Sequence, residues 1–177
     1  ILHLNLAMSI ENRLWDAANQ LRANSKLKAS EYASPVLGLI FLKFADYKFS
    51  LHEKYFASQS QKKRKISKDD YLAKGAIYLD QKARFKYLLQ LPEGENIGLR
   101  VNEGMKLIED DNPDLRDTLP KMYTKLSNSL LIELLRLVDN ISKNIEGDAI
   151  GKIYEYFLGK FAMSEGKKGG EFFTPTS

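Results

Sequence analysis

Cysteine is absent from this chain, which excludes disulfides and thiolate metal centres. Histidine is almost absent. His3 and His52 are the two in 177 residues; they lie far apart, so a histidine-based metal cluster has little basis and a Ser/His/Asp triad thin support. Long apolar runs are missing too: the longest, Val36 to Leu42, is interrupted by Gly38 and soon meets Lys43, far short of a membrane span. The beginning lacks the basic region, apolar core and small-residue cleavage site of a secretory signal. Ile1 to Met8 is set aside as a disordered start or an expression remnant. Zinc-finger spacing, an obvious recognition helix and RNA-binding aromatic motifs are all lacking, so nothing in the chain reads bases specifically. With no membrane segment expected, the compartment these absences imply is the cytoplasm.

Core material is plentiful. Hydrophobic residues make up 44% of the chain, with nine Phe, nine Tyr and one Trp, enough to bury a core within one domain. The charge balance is +4 and the pI about 9.1. This mild excess is uneven: Lys62, Lys63, Arg64, Lys65 and Lys68 crowd one segment, and Lys167 and Lys168 sit among glycines.

The apolar spacing is helical throughout, with no internal repeat and no strand-rich region. Ser9 can cap a first helix with the stripe Ile10, Leu14, Trp15, Ala18 and Leu21, Trp15 reading as a core anchor. Ser34-Pro35 suits the start of a long helix. Val36, Leu37, Leu39 to Leu42, Phe44, Tyr47 and Phe49 cover nearly all its sides, which predicts a central, buried element; it fades near Ser58. Ser67 can cap a short helix over Lys68 to Ala73. Ala76 to Leu79 is extended at best. Asp80 can cap a helix carrying Ala83, Phe85, Leu88 and Leu89, ended by Pro92 and Gly94. Ile97, Val101, Met105 and Ile108 predict another, closed by Asp111-Asn112-Pro113. Pro113 to Tyr123 reads as irregular. Leu130, Leu131, Leu134, Leu135, Val138 and Ile141 face a further helix. Asp148 opens a last one with Ile150, Ile153, Tyr154, Phe157, Leu158 and Phe161. The expected fold is all-α: a single irregular domain of about six to eight helices.

Four segments carry candidate chemistry. Lys62-Lys63-Arg64-Lys65 either contacts nucleic-acid phosphates, displacing condensed counterions, or is a solvated loop. Glu109-Asp110-Asp111 with Asp114 fits no calcium loop and reads more simply as a helix end running into a turn. Gly166-Lys167-Lys168-Gly169-Gly170 lacks the spacing and the Lys-Ser/Thr end of a phosphate loop and reads as a flexible hinge. In Glu171-Phe172-Phe173-Thr174-Pro175 the proline forces Thr174 toward extended geometry. The aromatic pair then either walls a cofactor pocket or straps the linker to a neighbouring domain. A glycine-rich hinge leading into such an element reads as the entrance to a further domain, in which the chemistry of the whole protein would lie.

Together these segments resemble the N-terminal part of the modification (methyltransferase) subunit of type I restriction–modification systems. The resemblance rests on Leu14-Trp15-Asp16-Ala17-Ala18 with Leu21-Arg22, on Tyr32 and Val36 to Lys43, on Ile108-Glu109 with Asn112-Pro113, and on Gly151 to Leu158. Its most specific part is Glu165-Gly166-Lys167-Lys168-Gly169-Gly170-Glu171-Phe172-Phe173-Thr174-Pro175. It implies an all-helical domain at 9–164, then at 165–177 a hinge and the first element of an α/β methyltransferase domain. It also implies transfer of a methyl group from S-adenosylmethionine to the N6 of adenine in DNA by the full-length subunit. Glu171, Phe172, Phe173, Thr174, Pro175 and Thr176 would lie at the cofactor, although Thr176 stands where many members carry Arg. Lys62, Lys63, Arg64, Lys65, Lys167 and Lys168 are the candidate DNA contacts. The family's Asn-Pro-Pro-aromatic catalytic motif and glycine-rich cofactor loop do not occur in the chain, so it should not methylate alone. The partners implied are DNA, a specificity subunit, a second modification subunit and a restriction subunit. Two rival readings remain: an autonomous, non-specific DNA-binding module, and a purely structural subunit-interaction domain.

Overall fold

A computed structural model of the chain describes residues 29–59 and 65–143, together with Ser9, Asn12, Arg13 and Asp16. Those four are helical and exposed, as the polar side of the expected first helix should be. Its apolar stripe, Trp15 included, and the expected last helix lie outside the described residues. The described residues form five α-helices, α1 Ala29–Ser58, α2 Lys68–Ala73, α3 Phe85–Leu89, α4 Ile97–Asp111 and α5 Asn128–Ser142, with short 3-10 turns at Gln81–Ala83, Pro113–Leu115 and Tyr123–Lys125. No strand occurs among them. The architecture is all-α, and no helix described is long and apolar enough to cross a membrane.

Helix α1 is the axis. Leu39, Ile40 and Phe41 are each 0% exposed, so three successive directions around the helix are covered, as its all-round apolar sequence requires. Helices α4 and α5 are instead amphipathic. Val101, Met105 and Ile108 on one, and Leu131, Leu134, Leu135 and Val138 on the other, turn inward into the shared core, where α5 packs against α1 and α4 against α5 and the 3-10 turns. The Lys43 ammonium fixes α1 to α5 through Asp139 at 2.9 Å.

Three local expectations are corrected by tertiary contacts. Helix α1 begins at Ala29 rather than at Ser34, and Pro35 lies inside it. Proline there forfeits the bond to the carbonyl of residue 31 and crowds it. The preceding Ala- and Glu-containing turn favours helix, and Pro35 is itself buried. Its carbonyl accepts a 2.7 Å bond from the hydroxyl of Tyr123, 88 residues away. Second, the helix expected after Asp80 is two pieces. Asp80 caps only the turn Gln81–Ala83; Arg84 is extended at φ −73°, ψ 140°, and α3 starts afresh at Phe85. The capping carboxylate for Phe85 N–H comes from Asp46 on α1, at 3.3 Å. Third, the stretch from Pro113 to Tyr123 opens with the 3-10 turn Pro113–Leu115, and a second, Tyr123–Lys125, begins at its last residue.

Other expectations hold. The Asp70 carboxylate takes the backbone N–H of Ser67 at 2.7 Å, fastening the start of α2. Ala76 to Leu79 is neither helix nor strand, and the buried amide of Asn112 pairs with it, accepting from Tyr78 N–H and donating to Tyr78 carbonyl, both at 2.8 Å.

Candidate nucleic-acid interface

The C-terminal half of α1 emerges from the core. Its face changes along the helix from Phe41 and Phe44, which are buried, through Lys48 and His52, half-buried, to Tyr55, 42% exposed. A continuous run of rings supports it. The Arg84 guanidinium lies 4.7 Å over Phe49, and Phe49 stacks on Tyr71 at 4.7 Å. Tyr78 meets both edge-on. Phe56 meets Tyr71 edge-on at 4.9 Å and Tyr55 meets Phe56 at 5.5 Å. The run ends where the Lys74 ammonium sits 3.9 Å over the Tyr55 ring. Edge-on and offset pairs of this kind each add about 0.5–1.5 kcal/mol beyond their burial, so the patch rests on a stiff support.

The two cations that end this run differ in what they can do. Arg84 is held by Asp46, by Glu53 at 3.3 Å and by Ser50 Oγ at 2.9 Å. Burial opposes its charge, but the hydrogen bonds and charges of Asp46 and Glu53 outweigh it and raise its pKa. It is structural. Lys74 has no carboxylate among the described residues within ion-pair distance; its partner is a ring. His52 reports the local field: burial first, then Lys48 and Lys74, lower its pKa from 6.5. A groove of about 520 Å³ lies beside Lys74, between Tyr55, Phe56, Gln59, Ile66 and Tyr71. Gln59 and Ile66 flank the segment that contains the basic quartet.

Of the sequence-derived candidates, Lys65 is described: it is exposed, in the non-helical stretch leading to Ser67. Lys62, Lys63, Arg64, Lys167, Lys168 and all of Glu171 to Thr176 lie outside the described residues. The acidic group is dispersed into structural roles. Glu109, 2% exposed, accepts from Lys121 Nζ at 2.6 Å and Leu119 N–H at 2.9 Å. Asp110 pairs with Lys106 and Asp111 with Lys68. Among the described residues no His, Cys, Asp and Glu are grouped to hold a metal. Lys48, His52, Tyr55 and Lys74 were not among the sequence-derived candidates. The first three stand at i, i+4 and i+7, a spacing that puts them on one helix face; Lys74 joins them only through the fold.

These features define an all-helical domain built on one buried helix, with a cationic, aromatic-backed flank. Residues 10–138 match the HsdM N-terminal domain model, and residues 145–177 match the N-6 DNA methylase model. The MjaIX type I restriction enzyme methylase subunit of Methanocaldococcus jannaschii is 34% identical over 195 aligned residues, which cover 99% of this chain and 35% of that protein. The HindI type I restriction enzyme methylase subunit of Haemophilus influenzae is 57% identical over 30 residues, 17% of this chain and 7% of that protein. The chain belongs to the HsdM N-terminal domain family, the helical domain of type I restriction–modification methylase subunits. It spans about a third of the length of the Methanocaldococcus relative.

Proposed function

We propose that this chain is the part of a DNA adenine methyltransferase subunit that assembles the enzyme and helps close it around DNA. In this reading residues 9–164 are the helical domain and 165–177 the hinge and first methyltransferase element. The full-length subunit transfers a methyl group from S-adenosylmethionine to adenine N6, within a cytoplasmic complex with a specificity subunit, a second modification subunit and a restriction subunit. One observation carries the reading: a match to the helical N-terminal family is followed directly, in the same chain, by a match to an N-6 DNA methylase.

Bound cofactor would supply the methyl group. Glu171, Phe172, Phe173 and Thr174 would hold its methionine end, with Pro175 and Thr176 beside it, Thr174 extended before Pro175 and the aromatic pair walling the pocket. Catalysis would lie with the Asn-Pro-Pro-aromatic motif, which this sequence lacks. Target adenines in such chemistry are flipped out of the duplex. The helical domain's part is therefore to position, and Lys62, Lys63, Arg64, Lys65, Lys167 and Lys168 would grip the backbone without reading bases.

The test uses the assembled enzyme. Neutralising Lys62, Lys63, Arg64 and Lys65 together should weaken binding about equally on all duplex sequences and flatten its salt dependence. Methyl transfer from labelled cofactor should require the full-length subunit. An unchanged salt slope would remove the DNA role of the quartet; reproducible transfer by the 177-residue chain alone would overturn the division of labour.

A further inference from the structure

We infer that Lys48 and Lys74, on either side of His52, form a second phosphate-contact patch for the backbone of duplex DNA, with Tyr55 as the positioning residue for Lys74. This rests on the DNA-binding reading above and names residues that reading does not contain.

The geometry carries it. Lys48, His52 and Tyr55 share one face of α1, and the segment after α2 brings Lys74 onto that face, 3.9 Å over the Tyr55 ring. A lysine side chain is flexible and loses rotamer freedom when it grips a phosphate. Resting its ammonium on a ring restricts it beforehand and uses none of its N–H donors on a carboxylate. Lys74 differs in this from Lys43, Lys68 and Lys121, each of which faces an acid. The carboxylates that line the neighbouring groove are Glu53 and Asp70. Glu53 faces Arg84 and Asp70 takes the Ser67 N–H. The depressed pKa of His52, caused by burial and then by Lys48 and Lys74, agrees that this spot is electropositive.

The ligand class follows from shape and charge. Lys48 from α1 and Lys74 from the end of α2 bring positive charge to one side of the domain, and phosphates of a duplex are the repeated anions that such charge meets. Tyr55 offers no open stacking platform for an unpaired base, since Lys74 covers its ring and Phe56 meets it edge-on. Gln59 and Ile66, which flank the basic quartet in the sequence, border the same groove.

The experiment measures binding of a fluorescent target duplex by the assembled enzyme across a potassium chloride series. Lys74→Gln should flatten the slope of log K against log salt by about 0.9, and the Lys48→Gln/Lys74→Gln pair by about twice that. Lys74→Arg should retain the slope. Tyr55→Phe keeps the ring and should behave as wild type. Tyr55→Leu should weaken binding, and should add nothing in the Lys74→Gln background. A double variant that assembles normally with an unchanged slope overturns the inference. If neutralising the 62–65 quartet flattens the slope while the double variant does not, this patch fails and the DNA-binding reading survives; if neither changes it, both fail. Loss of subunit assembly without any change in slope would also overturn it, because the surface would then serve a protein partner.

Discussion

Replacing Gly38 by alanine measures how closely α1 is clasped. In an unobstructed helix interior that change stabilises by about 1 kcal/mol, because alanine loses less backbone entropy. Here the added methyl would fall well inside contact distance of the Tyr123 hydroxyl and 2.5 Å from Pro120 Cγ. Neither neighbour is a loose chain end. Tyr123 is 0% exposed, and its hydroxyl is tied to the Pro35 carbonyl at 2.7 Å. Overpacking a filled core costs about 1–3 kcal/mol, and displacing the hydroxyl from its acceptor adds about 1 kcal/mol. The clash therefore outweighs the propensity gain, leaving a net loss of about 1–3 kcal/mol. For a chain of this size each kcal/mol lowers Tm by about 2–4 °C. Urea unfolding followed by circular dichroism measures it, and a double-mutant cycle isolates the cause. Tyr123→Phe removes the nearest atom, so Gly38→Ala should cost less in that background, by about 1 kcal/mol. Pro120 still crowds the methyl and keeps the relief partial. An equal penalty in both backgrounds, or a gain in stability from Gly38→Ala alone, refutes the reasoning.

Asp46→Ala removes the carboxylate that holds Arg84 and caps Phe85. It should cost about 1–3 kcal/mol in the same unfolding assay, with Asp46→Asn intermediate. Thr174→Val in the full-length subunit should weaken S-adenosylmethionine binding about ten- to a hundredfold by calorimetry, the equivalent of one hydrogen bond to a charged group. The apo melting temperature should stay unchanged; a lower one would mark the segment as a strap. Stability should also fall at both pH extremes. Burial raises the Tyr123 pKa well above 10, so its contribution is present below the unfolded value near 10 and is lost as pH rises past it. Tyr123→Phe should blunt that alkaline loss. Burial opposes the charge of Asp139, but Lys43 and then Lys143 together outweigh it and lower the pKa below 3.8. That contribution is present above the unfolded value and lost as pH falls through the folded one, and Lys43→Met should reduce the acid loss in a pH-dependent melting series.

Periodicity alone determined most of the secondary structure. The stripe from Ile97 to Ile108 and the leucines of α5 bury one side each, and the all-round apolar run of α1 marked it as the axis. These are local signals, since a helix face is written in consecutive residues. Ser67 with Asp70 was equally legible, because cap and carboxylate are three residues apart. The membership of the chain was legible in the same way, from contiguous segments such as Val36 to Lys43 that needed no folding to be read. Tertiary structure decided what depended on distant partners. The break at Arg84 coincides with its bond to Asp46, 38 residues earlier. The passage of α1 through Pro35 involves the Tyr123 hydroxyl, 88 residues later. The basic quartet was visible as a run of charge, and its exposure is described at Lys65 alone. Lys74 could not have been assigned to the same face as Lys48 and Tyr55, because the cation–π contact joins positions 19 residues apart. Spacing within one helix fixes which side chains share a face; which faces meet is decided only when the whole chain buries its apolar surface at once.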